Sequence, residues 1–284
     1  MEFEILTPKD AQYPKKLLQR LGSEAPTLYF HGPLKLLDRF TLAVIAADHI
    51  PGQAMLATND MLFTIREFAL NYIGPWHSVM ETEIFRLAID TAGDPEHRRS
   101  LSICTARGLA RETWDGFLGD RFGYKGPFTG FPQKTEFYRR ARDEELLWLS
   151  ITEPQQKRFE RRNILLRNWI SCALADLVFI PFSEKNTKSF ITVKKILSAG
   201  IPAFTVDHEV CHDLYALNVP YYTRKSVGKY LESLGASKDA DIPFPFPKST
   251  ASMDGIENNH QAIVRPRQLT FLNSKNLQVA EPNE

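Results

Sequence analysis

The amino-acid sequence predicts an α/β protein, a three-layer sandwich in which helices cover both faces of a mostly parallel sheet. Apolar runs of strand length, such as FTLAVIAAD at residues 40–48, are continuous rather than alternating, which is typical of strands buried on both faces. Amphipathic segments with helical spacing separate these runs, so strands and helices alternate along the chain. The 284 residues, 43% hydrophobic and 24% charged, are enough for one sizeable domain.

The first half of the chain predicts a lead-in segment and the first strands of the sheet. The lead-in covers residues 1–36 and holds a short strand, TLYF at 27–30, that is closed by a Gly-Pro pair. Residues 40–48 predict the first buried strand. Residues 54–72 predict a helix, because apolar residues recur on one face at helical spacing. Next in order we expect a strand at 76–82, a helix at 83–92 and a strand at 100–106.

The second half continues the alternation. Residues 143–154 predict a helix that runs into a strand, and residues 159–173 predict an amphipathic helix. The remaining expected elements are a strand at 174–182, a helix at 189–200 that stops at Gly200, and a strand at 201–207.

Residues 237–284 differ in composition from the rest of the chain. They are rich in Pro, Ser and Asn and show no periodicity, which is typical of an extended or irregular segment. We therefore expect one α/β domain at residues 37–236, preceded by the lead-in and followed by a polar C-terminal tail.

Composition and charge exclude several classes of protein. The net charge is +1, so contact with nucleic acid must rest on a local patch rather than on the charge of the whole chain. The three cysteines, Cys104, Cys172 and Cys211, are far apart and odd in number, which favours a reducing compartment over a disulfide framework. The N-terminus has no apolar signal segment, and no apolar run approaches the roughly 20 residues that span a bilayer. We expect a cytoplasmic protein without a membrane segment.

Four stretches with short motifs follow one another along roughly residues 13–208. They are YPKKLLQRLGSEAPTLYFHG, SLSICTARGLARETW, LWLSITEPQQKRFERRN and TKSFITVKKILSAGIPAFTVDHE. In this order they resemble the DprA/Smf family of DNA-processing proteins. The resemblance implies a Rossmann-like core that binds single-stranded DNA in a basic pocket and helps to load a RecA-type recombinase for recombination or DNA uptake. Members of the family often self-associate, so a homodimer is among the expectations.

The sequence departs from the family pattern at several motifs. The family's Gly-Ser-Arg after the first strand is here Ala46-Ala47-Asp48, which replaces a cation by an acid. The glycines of a second motif are missing from VMETEIFRLAID, and glycine lets a backbone approach a phosphate closely. An Arg-Asn pair survives as Arg162-Asn163, and the Ser-Gly-Ser-Leu-x-Thr turn survives in part at 187–192. The family's C-terminal winged helix is not recognised in the tail.

Basic residues are concentrated between residues 155 and 200, where nine lysines and arginines face only three acids. Thr187 or Ser189 is expected to cap a helix that begins near Phe190, which presents free amides and Lys188 to an anion. Because ligands of doubly wound sheets lie at the carboxyl ends of strands, we expect these groups to converge there. The alternative is a solvated helix surface. The predicted nucleic-acid and phosphate-binding residues are Arg161, Arg162, Asn163, Lys185, Lys188, Ser189, Thr192 and Lys194.

The segment HEVCH matches the His-Glu-x-x-His pattern, in which two histidines on a helix bind zinc and the glutamate activates water. It directly follows the last predicted strand, which is an unusual place for a protease motif. A zinc hydrolase at His208, Glu209 and His212 therefore stays an alternative, and our main expectation includes no metal and no cofactor.

Other candidate residues have a structural and a functional interpretation. Glu81 and Glu83 form either a catalytic carboxylate pair or the solvated end of a strand. The lack of a glycine-rich loop favours the solvated strand end. Trp169, Phe182 and Phe190 either stack on bases or pack in the core, and their apolar surroundings favour the core. We therefore expect a non-catalytic protein that binds single-stranded DNA. A sensor of a nucleotide-like ligand, or an interaction scaffold on a degenerate Rossmann-like fold, remains the alternative.

Overall fold

The computed structural model describes residues 1–89, 99–122, 133–158 and 160–238. Within these residues the chain forms one nine-stranded sheet covered by helices. The strands are β1 (Glu4–Leu6), β2 (Leu28–His31), β3 (Thr41–Val44), β4 (Asn71–Gly74), β5 (Ser100–Thr105), β6 (Leu146–Ser150), β7 (Leu177–Phe179), β8 (Ala203–Val206) and β9 (Tyr221–Tyr222). The helices are α1 (Lys15–Leu21), α2 (Gly52–Ile65), α3 (Val79–Ile89), α4 (Trp114–Phe122), α5 (Lys134–Arg142), α6 (Arg161–Ala173), α7 (Lys188–Ser198), α8 (His212–Tyr215) and α9 (Arg224–Ser233).

The strand order places β3, the first parallel strand, inside the sheet. The order is β1-β2-β6-β5-β4-β3-β7-β8-β9, with antiparallel pairing of β1 with β2 and of β2 with β6. All other neighbours are parallel. The chain moves outward from β3 to β6 and then crosses back to β7, on the other side of β3. This reversal separates the loops that follow β3 and β7, and such a gap is where doubly wound sheets bind ligands.

Two helical layers bury the sheet. Helix α6 packs against α1 and α7, while α2 packs against α9. Right-handed crossovers place the helices before and after the reversal on opposite faces of the sheet, so these two sets form separate layers. Strand β3 is buried along its whole length, as the continuous apolar run predicts. The predicted three-layer α/β sandwich with a mostly parallel sheet is confirmed.

Three polar side chains on neighbouring strands inside the sheet are paired with one another. Asn71 of β4 is fully buried and donates from Nδ2 to Thr41 Oγ1 at 3.3 Å. Its Oδ1 accepts from the Ser102 hydroxyl at 3.0 Å. These contacts link β3, β4 and β5 side by side, so these three buried polar side chains each have a partner inside the sheet.

The strand predicted at 76–82 is wrong, because this segment begins helix α3. The Glu81 amide donates to Ser78 Oγ at 3.2 Å, and the Ser78 amide donates to Glu81 Oε2 at 3.0 Å. This reciprocal pair is a capping box, which satisfies amides at a helix start and stops an extended chain. Trp76 precedes it with φ of 57°, outside the range of a strand.

Two helix predictions also extend too far. The helix predicted at 54–72 ends at Ile65, and its last residues form β4 instead, paired between β3 and β5. The strand part of the prediction at 143–154 is confirmed as β6, but no helix precedes it in this range, because α5 ends at Arg142 and Glu144 adopts φ of 54° just before β6. The apolar periodicity at both places belongs to short buried strands, which helical spacing alone does not separate from helices.

The ends of the predicted domain join the same sheet. The lead-in supplies β1 and β2, which extend the sheet beyond β6, and Arg20 donates to the carbonyls of Ala173 and Ala175 at 2.8 and 2.6 Å. In the predicted tail, the Ser237 carbonyl accepts a hydrogen bond from the Ala69 amide at 3.0 Å. The residues from 239 onward lie outside the part of the chain that the structure describes. None of the described helices has the length and apolar character needed to cross a membrane.

Candidate functional site

A cavity of about 410 Å³ opens at the gap between β3 and β7, and we call it the notch. Its walls come from the loop after β3, the start of α3, the middle of α6 and the loop that leads into α7. The polar and charged residues that matter most for its chemistry are Asp48, Glu81, Arg167, Glu184, Lys188 and Ser189. The notch therefore lies where the strand order reverses, as the fold class predicts.

Glu81 holds the wall of the notch together. Its residue is 2% exposed, and its carboxylate accepts backbone amides of Ala46, His77 and Ser78 at 2.9, 2.7 and 3.0 Å. Burial raises the pKa of Glu81, while these amides and the Arg167 charge act in the opposite direction. The expectation of a solvated strand end at this position is wrong, because Glu81 ties the loop after β3 to the first turn of α3. Its neighbour Glu83 forms an ion pair with Arg86 on α3 at 2.7 Å.

Arg167 is a buried cation in the wall of the notch, with 3% of the residue exposed. Its Nε and Nη2 donate to Asn168 Oδ1 at 3.1 and 2.8 Å, while Nη1 has no hydrogen-bond partner among the described residues. Burial lowers the pKa of Arg167 to about 10, with a further lowering by Arg121 and an opposing effect of Glu81. The guanidinium is therefore protonated at neutral pH and keeps one buried donor without an acceptor.

The start of helix α7 forms the opposite wall of the notch. Thr187 caps the helix, because its hydroxyl accepts the Phe190 amide at 3.2 Å, as the sequence predicts. The hydroxyl of buried Ser189 contacts those of Ser183 and Thr187 at 2.7 and 3.0 Å. Lys188 is exposed beside them and lines the notch. The helix start thus presents its positive end and one lysine to the cavity.

The charges in the notch have both signs. Three acids, Asp48, Glu81 and Glu184, line the cavity together with two cations, Arg167 and Lys188. A chain of phosphates meets mainly cations at its binding sites. The notch therefore suits a small ligand with one anionic group better than it suits a nucleic-acid strand.

A second cavity, of about 520 Å³, lies between α6 and α7 on the outer side of these helices, and we call it the groove. Its floor is mainly apolar, and cations occupy its rim. The lining residues are Arg161, Arg162, Leu165, Leu166, Trp169, Ile191, Thr192 and Lys195. The Lys195 ammonium lies over the Trp169 ring, 4.5 Å from its centroid. Within the described part of the chain, neither arginine nor Lys195 forms an ion pair with an acid.

The structure does not bring the predicted phosphate-binding residues to one site. Lys188 and Ser189 line the notch, whereas Arg161, Arg162 and Thr192 line the groove. Both cavities adjoin the same helix pair, because α6 and α7 present different faces to each. The expected convergence of Arg162 with Lys188 at the carboxyl edge is therefore not observed.

The other predicted residues have different surroundings. Lys185 is paired with Asp213, with Nζ 3.1 Å from Oδ1. The Thr192 hydroxyl donates to the Lys188 carbonyl at 3.1 Å inside the helix, so it is not a donor at the helix start. Asn163 is half-buried and lines neither cavity. Lys194 is exposed, with its ammonium 5.3 Å from the centroid of the Phe190 ring.

The three aromatic residues near the helix pair are buried. Trp169, Phe182 and Phe190 are 6%, 5% and 5% exposed, which confirms the interpretation that they pack in the core. Only Trp169 also lines the groove.

The HEVCH segment does not form a single helix. His208 has extended backbone angles and precedes a short 3-10 turn at Glu209–Cys211, and α8 begins only at His212. The Nδ1 atom of His208 accepts a hydrogen bond from the Val210 amide at 3.3 Å. No group of three or more potential metal ligands is found in the part of the chain that the structure describes. The helical spacing of two histidines that the zinc motif requires is not formed here.

Comparison with known proteins identifies the fold. No protein-family model and no curated protein matches the sequence. Among solved structures, DNA processing protein A (DprA) from Streptococcus pneumoniae matches with a TM-score of 0.61 at 16% identity. The match covers 86% of this chain and 76% of that chain. The described residues have a DprA-like fold.

A second DprA structure supports the same assignment. DprA from Helicobacter pylori matches with a TM-score of 0.58 at 16% identity, over 82% of this chain and 97% of that chain. That structure concerns a single-stranded DNA binding mode of the Helicobacter pylori protein. The resemblance to DprA that the four sequence stretches indicate is confirmed for the fold.

Four of the six polar and charged notch residues named above are missing from the predicted site, and two of these, Arg167 and Glu81, carry a signal in the sequence. Arg167 shares a helix face with Ile164 and Ser171, which are apolar or small. A charged residue on such a face indicates a buried charge with a specific role. Glu81 follows Ser78 with the Ser-x-x-Glu spacing of a capping box, which also predicts a helix start. Both signals are present in the sequence.

Proposed function

We propose that this chain binds single-stranded DNA along the groove between α6 and α7. The observation that carries the proposal is the set of exposed cations, without acidic partners in the described residues, around an apolar floor. Arginine and lysine at a rim bind phosphates, and an apolar floor accepts the faces of unstacked bases. The DprA-like fold is shared with a Helicobacter pylori protein whose structure concerns a single-stranded DNA binding mode, and this similarity supports the same class of partner.

Each part of the groove has a role in this proposal. Arg161 and Arg162 provide forked donors at the start of α6, and their guanidinium groups are exposed. Lys195 continues the positive rim on α7, and Ile191, 46% exposed, extends the apolar surface. Lys194, exposed on the same helix, adds a further positive charge to this face of α7. A strand that follows α7 would then meet several cations in succession.

The proposed role is DNA binding without catalysis, and the acidic residues of the notch take no part in it. A DNA-binding role of this kind fits recombination or DNA uptake in the cytoplasm, where a RecA-type recombinase is the expected partner and a homodimer the expected form. The fold similarity supports these expectations only through the shared architecture.

The test is a binding measurement with a matched control. In R161A/R162A, two cations of the rim are lost, and we expect the Kd for labelled oligo(dT) to rise on the order of tenfold at low salt. The control K225A/K229A removes the same charge from exposed positions of α9 and should leave the Kd nearly unchanged. Fluorescence anisotropy measures both. Equal affinities of the two double variants would refute the groove as the DNA site.

A further inference from the structure

We propose that the notch is a separate binding site for a small phosphorylated ligand of the nucleoside 5′-monophosphate class. The phosphate would contact Arg167, Lys188 and the start of α7, and the hydroxyl and amino groups of the ligand would contact Asp48 and Glu184. This site differs from the groove in position, charge and ligand.

The first argument is the unused donor of Arg167. A charged guanidinium that is almost fully buried has a large desolvation cost, which hydrogen bonds and nearby opposite charge must offset. Asn168 accepts from two of its nitrogens, and Nη1 has no partner within the described residues. Nearby Arg121 adds repulsion, Glu81 is already engaged by three backbone amides, and Asp48 attracts Arg167 without forming a hydrogen bond or ion pair with it in the described residues. Arg167 lines the notch, so an anionic group bound there would bring an opposite charge close to the buried guanidinium.

The second argument is the position of the helix start. The first turn of α7, an 11-residue helix, lines the notch together with Lys188. Amides at a helix N-terminus and the helix dipole favour an anion at this point. The Phe190 amide is taken by Thr187, so the positive potential of the helix and the lysine are what remain for a ligand.

The third argument concerns size and mixed charge. A volume of about 410 Å³ lies in the range of small-molecule pockets. Asp48 and Glu184 are exposed at the cavity and form no ion pair within the described ranges, so both are open to hydroxyl or amino donors. A free phosphate would leave these acids without a role, and a DNA strand would bring further phosphates toward them. One phosphate with a ribose and a base fits both signs of charge.

The experiment titrates the full-length protein with the four common nucleoside 5′-monophosphates, with adenosine and with inorganic phosphate, followed by thermal shift and calorimetry. We expect at least one monophosphate to raise the Tm and to bind at least tenfold more tightly than adenosine or phosphate. Loss of one charge-assisted contact in K188A should weaken binding about tenfold. K194A removes an exposed lysine of the same helix that does not line the notch, and it should bind like the wild type.

Arg167→Met tests the buried cation directly, at similar side-chain volume. If this variant folds, it should lose monophosphate binding. If it does not fold, the comparison of K188A with K194A decides. R161A/R162A should bind monophosphates normally even where DNA binding is lost, which separates this proposal from the groove. The absence of a shift with any monophosphate, equal binding of phosphate alone, or equal affinities of K188A and K194A would each overturn the proposal.

Discussion

Gly108 lies where two loops approach too closely for a side chain. It follows β5, and its amide donates to the Gln156 carbonyl at 3.0 Å in the loop after β6. A Cβ at this position would meet the backbone oxygens of Glu153 and Pro154 at 2.1 and 2.3 Å. The loops can move apart only if the hydrogen bond between the Gly108 amide and the Gln156 carbonyl is weakened or lost.

We predict that Gly108→Ala lowers the free energy of unfolding by about 1–3 kcal/mol, because the new methyl group forces the two loops apart. Gly119→Ala is the matched control. Gly119 lies in α4 with no atom within 4 Å of a new Cβ, so alanine should stabilise the protein by about 0.5–1 kcal/mol through helix propensity. Urea unfolding measures both. A Gly108→Ala protein as stable as the wild type would contradict the close approach of the loops.

Individual side chains in the candidate site are only partly predictable from the sequence. The cap at Thr187 follows from residue type and spacing, and the structure confirms it. The separation of Arg162 from Lys188 does not follow, because it depends on which faces α6 and α7 turn toward each other. The same holds for the contact of Glu81 with the Ala46 amide, which joins residues 35 positions apart.

Asp213 connects the loop before α7 to helix α8. Its carboxylate accepts the Lys185 amide at 3.0 Å and also pairs with the Lys185 ammonium. The backbone hydrogen bond is the main reason that the pKa of Asp213 lies below its usual value, and the lysine contributes further. A carboxyl with a lowered pKa in the folded state stabilises that state fully above the unfolded pKa of about 3.9 and progressively less as the pH falls through the folded value.

We therefore predict that the Tm difference between the wild type and Asp213→Asn is largest near pH 6 and shrinks as the pH falls from 5 to 3, because asparagine cannot ionise. Thermal unfolding across this range measures the difference. Asp38→Asn is the control, since Asp38 is exposed and has no hydrogen bond or ion pair in the described part of the protein. A difference for Asp213→Asn that does not vary with pH would contradict the assigned contacts.

Most helices and strands of the second half of the chain are predictable, and those between β3 and β5 are less so. Helix α7 ends as predicted, with Gly200 at φ of 66° after its last turn. Strand β4 is missed because four residues are too few to show a period, and its first two residues fall within the helix predicted at 54–72, although Asn71 pairs with Thr41 and Ser102 inside the sheet. Whether a short buried segment forms a strand depends on the strands that pair with it, and the local sequence does not show which strands these are.

The topology decides which charged residues meet. The chain reverses at β3, so the loop after β3 and the start of α7 form one notch although about 140 residues separate them along the chain. The alternation of apolar runs predicts this architecture, and the DprA-like fold confirms it. The departure at Asp48 from the family pattern already indicates one acid at this edge, but the alternation does not predict that Glu81 and Glu184 join it or that exposed cations gather at the groove.

The most direct test of DNA binding at the groove is the salt dependence of the affinity for oligo(dT). If Arg161 and Arg162 each contact one phosphate, the slope of log K against log salt should be smaller in R161A/R162A than in the wild type by about 1.4, at roughly 0.7 per phosphate on a single strand. K225A/K229A should keep the slope of the wild type. Identical slopes in all three proteins, or no binding of oligo(dT) by the wild type at low salt, would contradict the account.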